Sequence, residues 1–184
     1  MCDPPSISRR RFIQVSSSAA AALSGAFAGA CAGRYQPASA LTSDERRLVE
    51  AVADQIVPPD QDLGGRAAGV ADFIDIQLRG PYARFVPAYR EGLARLDATC
   101  RRLRKARFVD LSCDDQTTVL TSLENEQVPP GIWEPQEASE FFRLICDHCM
   151  QGYYGSPRHG GNRGGASWKM LKLDYPQLAG RATT

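Results

Sequence analysis

Apolar side chains recur three and four residues apart along most of this chain, and proline or glycine interrupts the pattern at each break. In the first such segment Leu48, Val52 and Ile56 fall on one face of a predicted helix. Pro58-Pro59 ends that helix, because proline cannot donate to the helical hydrogen-bond ladder. Strand-like alternation is almost absent. The sequence therefore predicts an all-α fold, an irregular bundle of about five helices followed by a glycine-rich C-terminal segment.

The predicted helices also carry recognisable start signals. Thr42-Ser43-Asp44-Glu45 has the pattern of a capping box, and Ser112 has the pattern of an N-cap. Between them lie a short apolar stripe from Val70 to Leu78 and a longer one from Phe85 to Leu103. The last helix follows a proline-rich break, and we expect one of its faces to carry Phe141, Phe142, Ile145, Cys146 and Cys149.

The first forty residues have a different character from the rest. A small-residue apolar run covers residues 15–30, and directly before it stand Ser8, Arg9, Arg10 and Phe12. This order is typical of a twin-arginine export signal, and the run is too short and too weakly apolar for a stable membrane span. We therefore divide the chain into a signal and linker, residues 1–40, and a single helical domain, residues 41–184.

Two peptidase sites compete in this leader. One lies between Ala30 and Cys31, and the other between Ala40 and Leu41. The first resembles a lipoprotein box, which would leave Cys31 as a lipidated N-terminus. An unprocessed basic N-terminal arm is the alternative interpretation. The export interpretation predicts a periplasmic protein and the twin-arginine translocase as a partner.

Composition argues against a nucleic-acid ligand. Residues 41–184 keep 18 of the 22 basic and 20 of the 21 acidic side chains, a formal net charge of −2. Nucleic-acid binding requires a basic surface that neutralises phosphates. We therefore expect no nucleic-acid partner.

Four cysteines lie in the predicted domain, and their pattern leaves their role open. In an oxidising compartment Cys100, Cys113, Cys146 and Cys149 could form two disulfides in any of three pairings. Cys146 and Cys149 form a CxxC motif, but Met150 occupies the place where c-type haem attachment needs histidine. A redox or metal-binding protein built on these cysteines remains an alternative function. The motifs assign no catalytic, cofactor-binding or metal-binding residue in this chain.

The C-terminal segment carries the most specific motifs. Gly152-Tyr153-Tyr154 is followed by the stretch 156–163, which reads SPRHGGNR, and then by Ser167-Trp168-Lys169. This combination resembles the C-terminal signature of the gluconate 2-dehydrogenase subunit 3 family. The resemblance extends backward through residues 53–58, 68–75, 89–97 and 108–112.

This resemblance implies a non-catalytic small subunit without a cofactor of its own. The expected catalytic partner is a large FAD-dependent dehydrogenase subunit of the glucose-methanol-choline type, which oxidises a sugar or sugar acid. A cytochrome c subunit with haem c is expected to accept the electrons. The small subunit would supply the export signal and support folding and stability of the flavoprotein, and the complex would associate with the membrane.

The glycine-rich segment is the predicted contact with that flavoprotein. Aromatic and arginine side chains dominate protein interfaces, and glycine lets two backbones approach closely. A second interpretation has the segment folding back over its own bundle, and both can hold together. The predicted interface residues are Tyr153, Tyr154, Arg158, Gly160, Gly161, Asn162, Arg163 and Trp168.

Overall fold

The structure, a computed structural model, describes residues 39–173 and confirms the all-α prediction for that part of the chain. It contains six α-helices there and no strand. The helices are α1 (Ser43–Ile56), α2 (Val70–Leu78), α3 (Val86–Arg104), α4 (Cys113–Glu124), α5 (Glu137–Tyr154) and α6 (Ala166–Met170). The first five match the predicted ones, and the short α6 is an addition inside the C-terminal segment.

Both predicted start signals operate in the structure. Glu45 donates its backbone N–H to the Thr42 hydroxyl at 3.2 Å, and the Thr42 N–H donates to the Glu45 carboxylate at 2.7 Å. Ser112 caps α4 by accepting the Asp115 N–H at 3.2 Å. Each cap satisfies a backbone donor that lacks a helical partner, an effect worth about 1 kcal/mol.

Helix α5 forms the centre of the core. Its residues Phe141, Ile145, Cys149 and Tyr153 follow one another at four-residue spacing, and all are buried. The other two members of the predicted face, Phe142 and Cys146, are half-buried. They line a small cavity that residues of α1 and α4 close. The apolar face of α5 is therefore wide enough to contact helices on more than one side.

A glycine permits the close crossing of α3 and α5. A Cβ atom placed on Gly92 would lie 2.1 Å from Cδ2 of Phe141, well inside van der Waals contact. The Phe141 ring in turn stacks on Trp133, with the ring centroids 5.8 Å apart. Any larger residue at position 92 would displace this aromatic pair from the core.

Several arginines lie at and just after the C-terminal end of α3, and carboxylates of the same chain neutralise much of their charge. Asp97 is buried, and its carboxylate accepts the Phe108 N–H and the Arg107 Nε–H, each at 3.1 Å. Arg104 pairs with Asp115 of α4 at 2.8 Å. These contacts fix the connection between α3 and α4.

None of the helices in residues 39–173 is long and apolar enough to cross a membrane.

His148 lies in the core, although its position inside the CxxC motif does not indicate this. It is 4% exposed, and its Nδ1 lies at hydrogen-bond distance, 3.0 Å, from the Tyr89 hydroxyl. Its ring stacks on those of Tyr82 and Tyr89, with centroid distances of 4.5 and 5.8 Å. Burial lowers the pKa of His148, because the charged ring loses its hydration.

We expect this burial to make the fold sensitive to mild acid. The folded pKa lies below the ordinary 6.5, so the unfolded state takes up the proton first as the pH falls. The free energy of unfolding should therefore decrease from about pH 6.5 to about pH 5, above the range where carboxylates protonate. Urea unfolding at a series of pH values measures this slope.

Two variants test whether His148 causes this pH dependence of the free energy of unfolding. His148→Gln cannot be protonated and should flatten it, whereas His159→Gln, a change at an exposed histidine, should leave it in place. An equal slope in wild type and His148→Gln would contradict the assignment.

Candidate partner-binding surface

The C-terminal segment lies on the helical bundle and is held there by one buried amide side chain. Asn162 is fully buried, donates from Nδ2 to the Gly155 carbonyl at 2.8 Å and accepts the Ser167 N–H on Oδ1 at 2.9 Å. Its φ of 46° lies in the left-handed region, which asparagine tolerates better than most residues. Asn162 thus ties the end of α5 to the start of α6.

A glycine contact brings the segment against the C-terminal turn of α5. A Cβ atom on Gly161 would lie 2.1 Å from the carbonyl oxygen of Gly152. Because the obstacle is backbone rather than a flexible side chain, no small adjustment relieves it. The absence of a side chain at Gly161 therefore allows a closer backbone approach than any other residue type would.

An ion-pair network joins the segment to α1 and α2. Arg163 donates its backbone N–H to the Ala68 carbonyl at 3.0 Å, and its guanidinium pairs with Asp72 of α2. The other carboxylate oxygen of Asp72 pairs with Arg46 of α1 at 2.6 Å. Asp72 is therefore shared between the first helix and the C-terminal segment.

The structure separates the eight predicted interface residues into two groups. Tyr153, Gly161 and Asn162 are buried within the chain itself, and the Tyr153 hydroxyl donates to the Leu63 carbonyl at 2.8 Å. The others reach the surface at least in part: Tyr154, Arg158 and Arg163 are exposed, and Gly160 and Trp168 are half-buried. Trp168 thus lies at the edge of the bundle rather than in its core, with Nε1 donating to the Tyr154 carbonyl at 3.1 Å.

One of the exposed members, Tyr154, lines a shallow depression between α2 and the end of α5. Its volume is about 390 Å³, and its lining residues are Phe73, Gln77, Tyr82, Gln151, Tyr154, Gly155 and His159. Tyr154 and Ile76 are large apolar side chains that remain 38% and 41% exposed. Arg158 lies beside His159, with Nε 3.1 Å from the His159 Nε2. We call this region, made of Ile76, Tyr82, Tyr154, Arg158, His159 and Trp168, the C-terminal surface.

A second cavity of about 550 Å³ lies between α3 and α5. Phe85, Trp133, Phe141 and Leu144 give it an apolar floor, and its polar lining consists of Glu91, Glu137, Glu140, Arg143 and Asp147. Arg95 fixes one end, because its guanidinium pairs with Glu137 and lies 5.9 Å from the Trp133 ring centroid. The lining contains no serine, cysteine or histidine, so it holds no Ser–His or Cys–His pair.

All four cysteines of the described region are free thiols in the structure. Burial raises the pKa of Cys100 to about 12 and that of Cys146 to about 11, and it raises the pKa of Cys149 further. Since the thiolate is the nucleophile and the metal ligand, burial makes these three sulfurs unreactive. Residues 39–173 contain no group of three or more His, Cys, Asp or Glu side chains placed to hold a metal ion. The disulfide prediction for Cys100, Cys113, Cys146 and Cys149 stays a prediction.

The predicted export residues Ser8, Arg9, Arg10 and Phe12, and the lipidation candidate Cys31, lie outside the described residues. The export prediction therefore rests on the sequence pattern.

The family comparison matches residues 43–174 to the model of gluconate 2-dehydrogenase subunit 3. The chain belongs to this family. Comparisons with curated proteins and with solved structures each give no significant match. Membership in the gluconate 2-dehydrogenase subunit 3 family makes the chain a subunit of a dehydrogenase complex, and it implies association with other subunits of such a complex.

Sequence reasoning missed the carboxylates on α2 that hold other parts of the chain. Asp72 and Asp75 stand in the otherwise apolar helix VADFIDIQL, and Asp75 is only 3% exposed. A carboxylate on the buried face of an apolar helix requires fixed partners, because an unpaired buried charge is costly. That pattern was a readable signal that α2 binds other parts of the chain.

We predict that Gly161→Ala loosens the C-terminal segment. The added methyl would collide with the Gly152 carbonyl, and relieving the collision should cost about 1–3 kcal/mol. Hydrogen exchange of residues 156–170 and urea unfolding measure the effect.

Gly80→Ala is the matched control. There a Cβ atom would have its nearest neighbour at 3.8 Å, an ordinary contact. Equal stability and equal protection of the segment in the two variants would show that the close approach at Gly161 is unimportant.

Proposed function

We propose that this chain is the non-catalytic small subunit of a periplasmic, FAD-dependent dehydrogenase complex that oxidises the alcohol groups of sugars or sugar acids. It acts in the export, folding and stabilisation of the catalytic flavoprotein. That partner is a large subunit of the glucose-methanol-choline type, and a cytochrome c subunit with haem c receives the electrons. The complex associates with the membrane.

The observation that carries this proposal is the match to gluconate 2-dehydrogenase subunit 3 over residues 43–174. The chemistry of the chain is consistent with an accessory role. The buried thiols have raised pKa values, and the one buried histidine is stacked between aromatic rings. Within residues 39–173 no observation favours the alternative of an independent redox or metal-binding protein.

The C-terminal surface is the proposed contact with the flavoprotein. It combines the exposed side chains of Tyr154 and Ile76 and the half-buried Trp168 with the cationic Arg158, the composition that protein interfaces favour. The backbone beneath it is fixed by Asn162 and by the Gly161 contact. A preformed surface loses little conformational entropy on binding, which favours a stable complex.

The export role follows from the twin arginines at positions 9 and 10. The twin-arginine route carries folded cargo, so a partner without its own signal would have to bind this chain in the cytoplasm. Deleting the chain should then leave the flavoprotein in the cytoplasm, unstable or inactive, as measured by fractionation and dehydrogenase activity. A flavoprotein that is exported and fully active without this chain would overturn the proposal.

A paired substitution tests the contact itself. Tyr154→Ala combined with Arg158→Glu removes an aromatic side chain and reverses a charge on the C-terminal surface, both at exposed positions. We expect the amount of flavoprotein that copurifies with the chain to fall about tenfold or more, the effect of losing central interface residues.

The control makes equivalent changes at the exposed end of α3, Arg102→Glu with Leu103→Ala. It should leave copurification unchanged. If both double variants retain the flavoprotein equally, the C-terminal surface is not the contact.

A further inference from the structure

One carboxylate of α2 binds the chain just before α1 begins. Asp75 Oδ1 accepts the Leu41 backbone N–H at 3.0 Å and lies 2.5 Å from the Ser39 hydroxyl. The same hydroxyl lies 2.8 Å from the Leu41 carbonyl, so its single proton is shared between two acceptors. Ser39 and Leu41, on either side of Ala40, are thus held by a single side chain.

The groups around Asp75 keep its carboxylate ionised. Its side chain is 4% exposed, and its second oxygen lies 3.1 Å from Arg79 Nη2 and 3.9 Å from Arg46 Nη2. Burial would raise the pKa of Asp75, but the hydrogen bonds from Ser39 and Leu41, together with the charge of Arg79, hold that pKa below its usual value. A buried, ionised carboxylate accepts stronger hydrogen bonds than a neutral group.

The side chain of Leu41 completes the attachment. Leu41 is 4% exposed and belongs to the apolar core. Its backbone cannot leave the surface without breaking the bond to Asp75 and exposing the leucine. The peptide bond between Ala40 and Leu41 therefore lies inside the folded domain.

This peptide bond is one of the two peptidase sites that the sequence offers. A peptidase binds several residues on each side of its target in extended form, so it requires free backbone and accessible side chains there. In the folded state the Leu41 N–H is bonded to Asp75 and the Leu41 side chain is buried, so the backbone and the leucine that the peptidase would have to bind are not free, although Ser39 and Thr42 are exposed. Cleavage of such a bond has to wait for local opening, and its rate follows the population of the opened state.

We infer that Asp75 protects the Ala40–Leu41 bond of the folded chain, so that signal removal takes place on the N-terminal side of Ser39 and the mature subunit keeps Ser39 and Ala40. Residues 39 and 40 then belong to the helical domain rather than to the signal and linker. The statement about signal removal rests on the proposed export function. The protection of the bond does not.

Limited proteolysis of the purified full-length chain tests the protection directly. Thermolysin cuts on the N-terminal side of leucine, so Ala40–Leu41 is a good substrate when unfolded. With the native chain we expect no early fragment that begins at Leu41, whereas this fragment should form in urea. Mass spectrometry identifies the fragment, and its rapid release from the native chain would overturn the inference.

Variants assign the protection to Asp75. Asp75→Asn loses the charge that strengthens these hydrogen bonds, so the rate of cleavage at Ala40–Leu41 should rise about tenfold or more. Asp72→Asn is the matched control, since this residue of the same helix pairs with Arg46 and Arg163 but does not hold residues 39–41. Circular dichroism verifies that each variant is folded. If Asp75→Asn fails to fold, Ser39→Ala, which removes one hydroxyl, should still raise the rate above that of the control.

The intact mass of the exported chain tests the processing site. We expect an N-terminus at or before Ser39, and a chain beginning at Leu41 would overturn this part of the inference. A chain recovered only in the cytoplasm with its complete N-terminus would instead contradict the export proposal. In that case the proteolysis result still decides whether Asp75 protects the bond.

Discussion

The packing of α5 is the constraint on which the rest of this structure depends. Within residues 39–173 each of the other five helices packs against it. The buried positions 141, 145, 149 and 153 recur every four residues, so they form one continuous apolar stripe along the helix. A helix with this role tolerates few polar groups on its buried faces unless they have partners: His148 is stacked on Tyr82 and lies at hydrogen-bond distance from Tyr89, and the Tyr153 hydroxyl donates to the Leu63 carbonyl.

The sequence was sufficient to predict the first five helices because their signals are local. Spacing at three and four residues, the Thr42 capping box and the prolines at 58 and 59 each act within a turn or two of the chain. The polar contacts between elements could not be predicted in this way. The bond between Tyr89 and His148 joins residues 59 positions apart, and the pair of Arg163 with Asp72 joins residues 91 apart. No periodic pattern connects such positions.

The same limit explains the mixed character of the predicted interface. The sequence alone does not show whether a tyrosine, asparagine or glycine of the C-terminal signature faces a partner or the chain's own core. Their positions relative to α5 separate them: Tyr153 continues its buried stripe, and Tyr154, one position further, points away from it and is exposed. Loss of the complex after a change at Tyr153 or Asn162 would therefore report on folding, whereas a change at Tyr154 reports on contact.

Helix α2 connects both ends of the described region. Asp75 holds residues 39–41 before α1, and Asp72 holds Arg163 of the C-terminal segment, so the two attachments lie one helical turn apart. Arg46 contacts both carboxylates, at 2.6 Å from Asp72 and 3.9 Å from Asp75, which couples them electrostatically. A partner that binds only the ordered C-terminal surface stabilises that order by mass action. That stabilisation acts on the attachment at Asp72, whereas the attachment of Ser39 and Leu41 rests on Asp75. One short helix therefore holds both ends of the described region through two separate carboxylates.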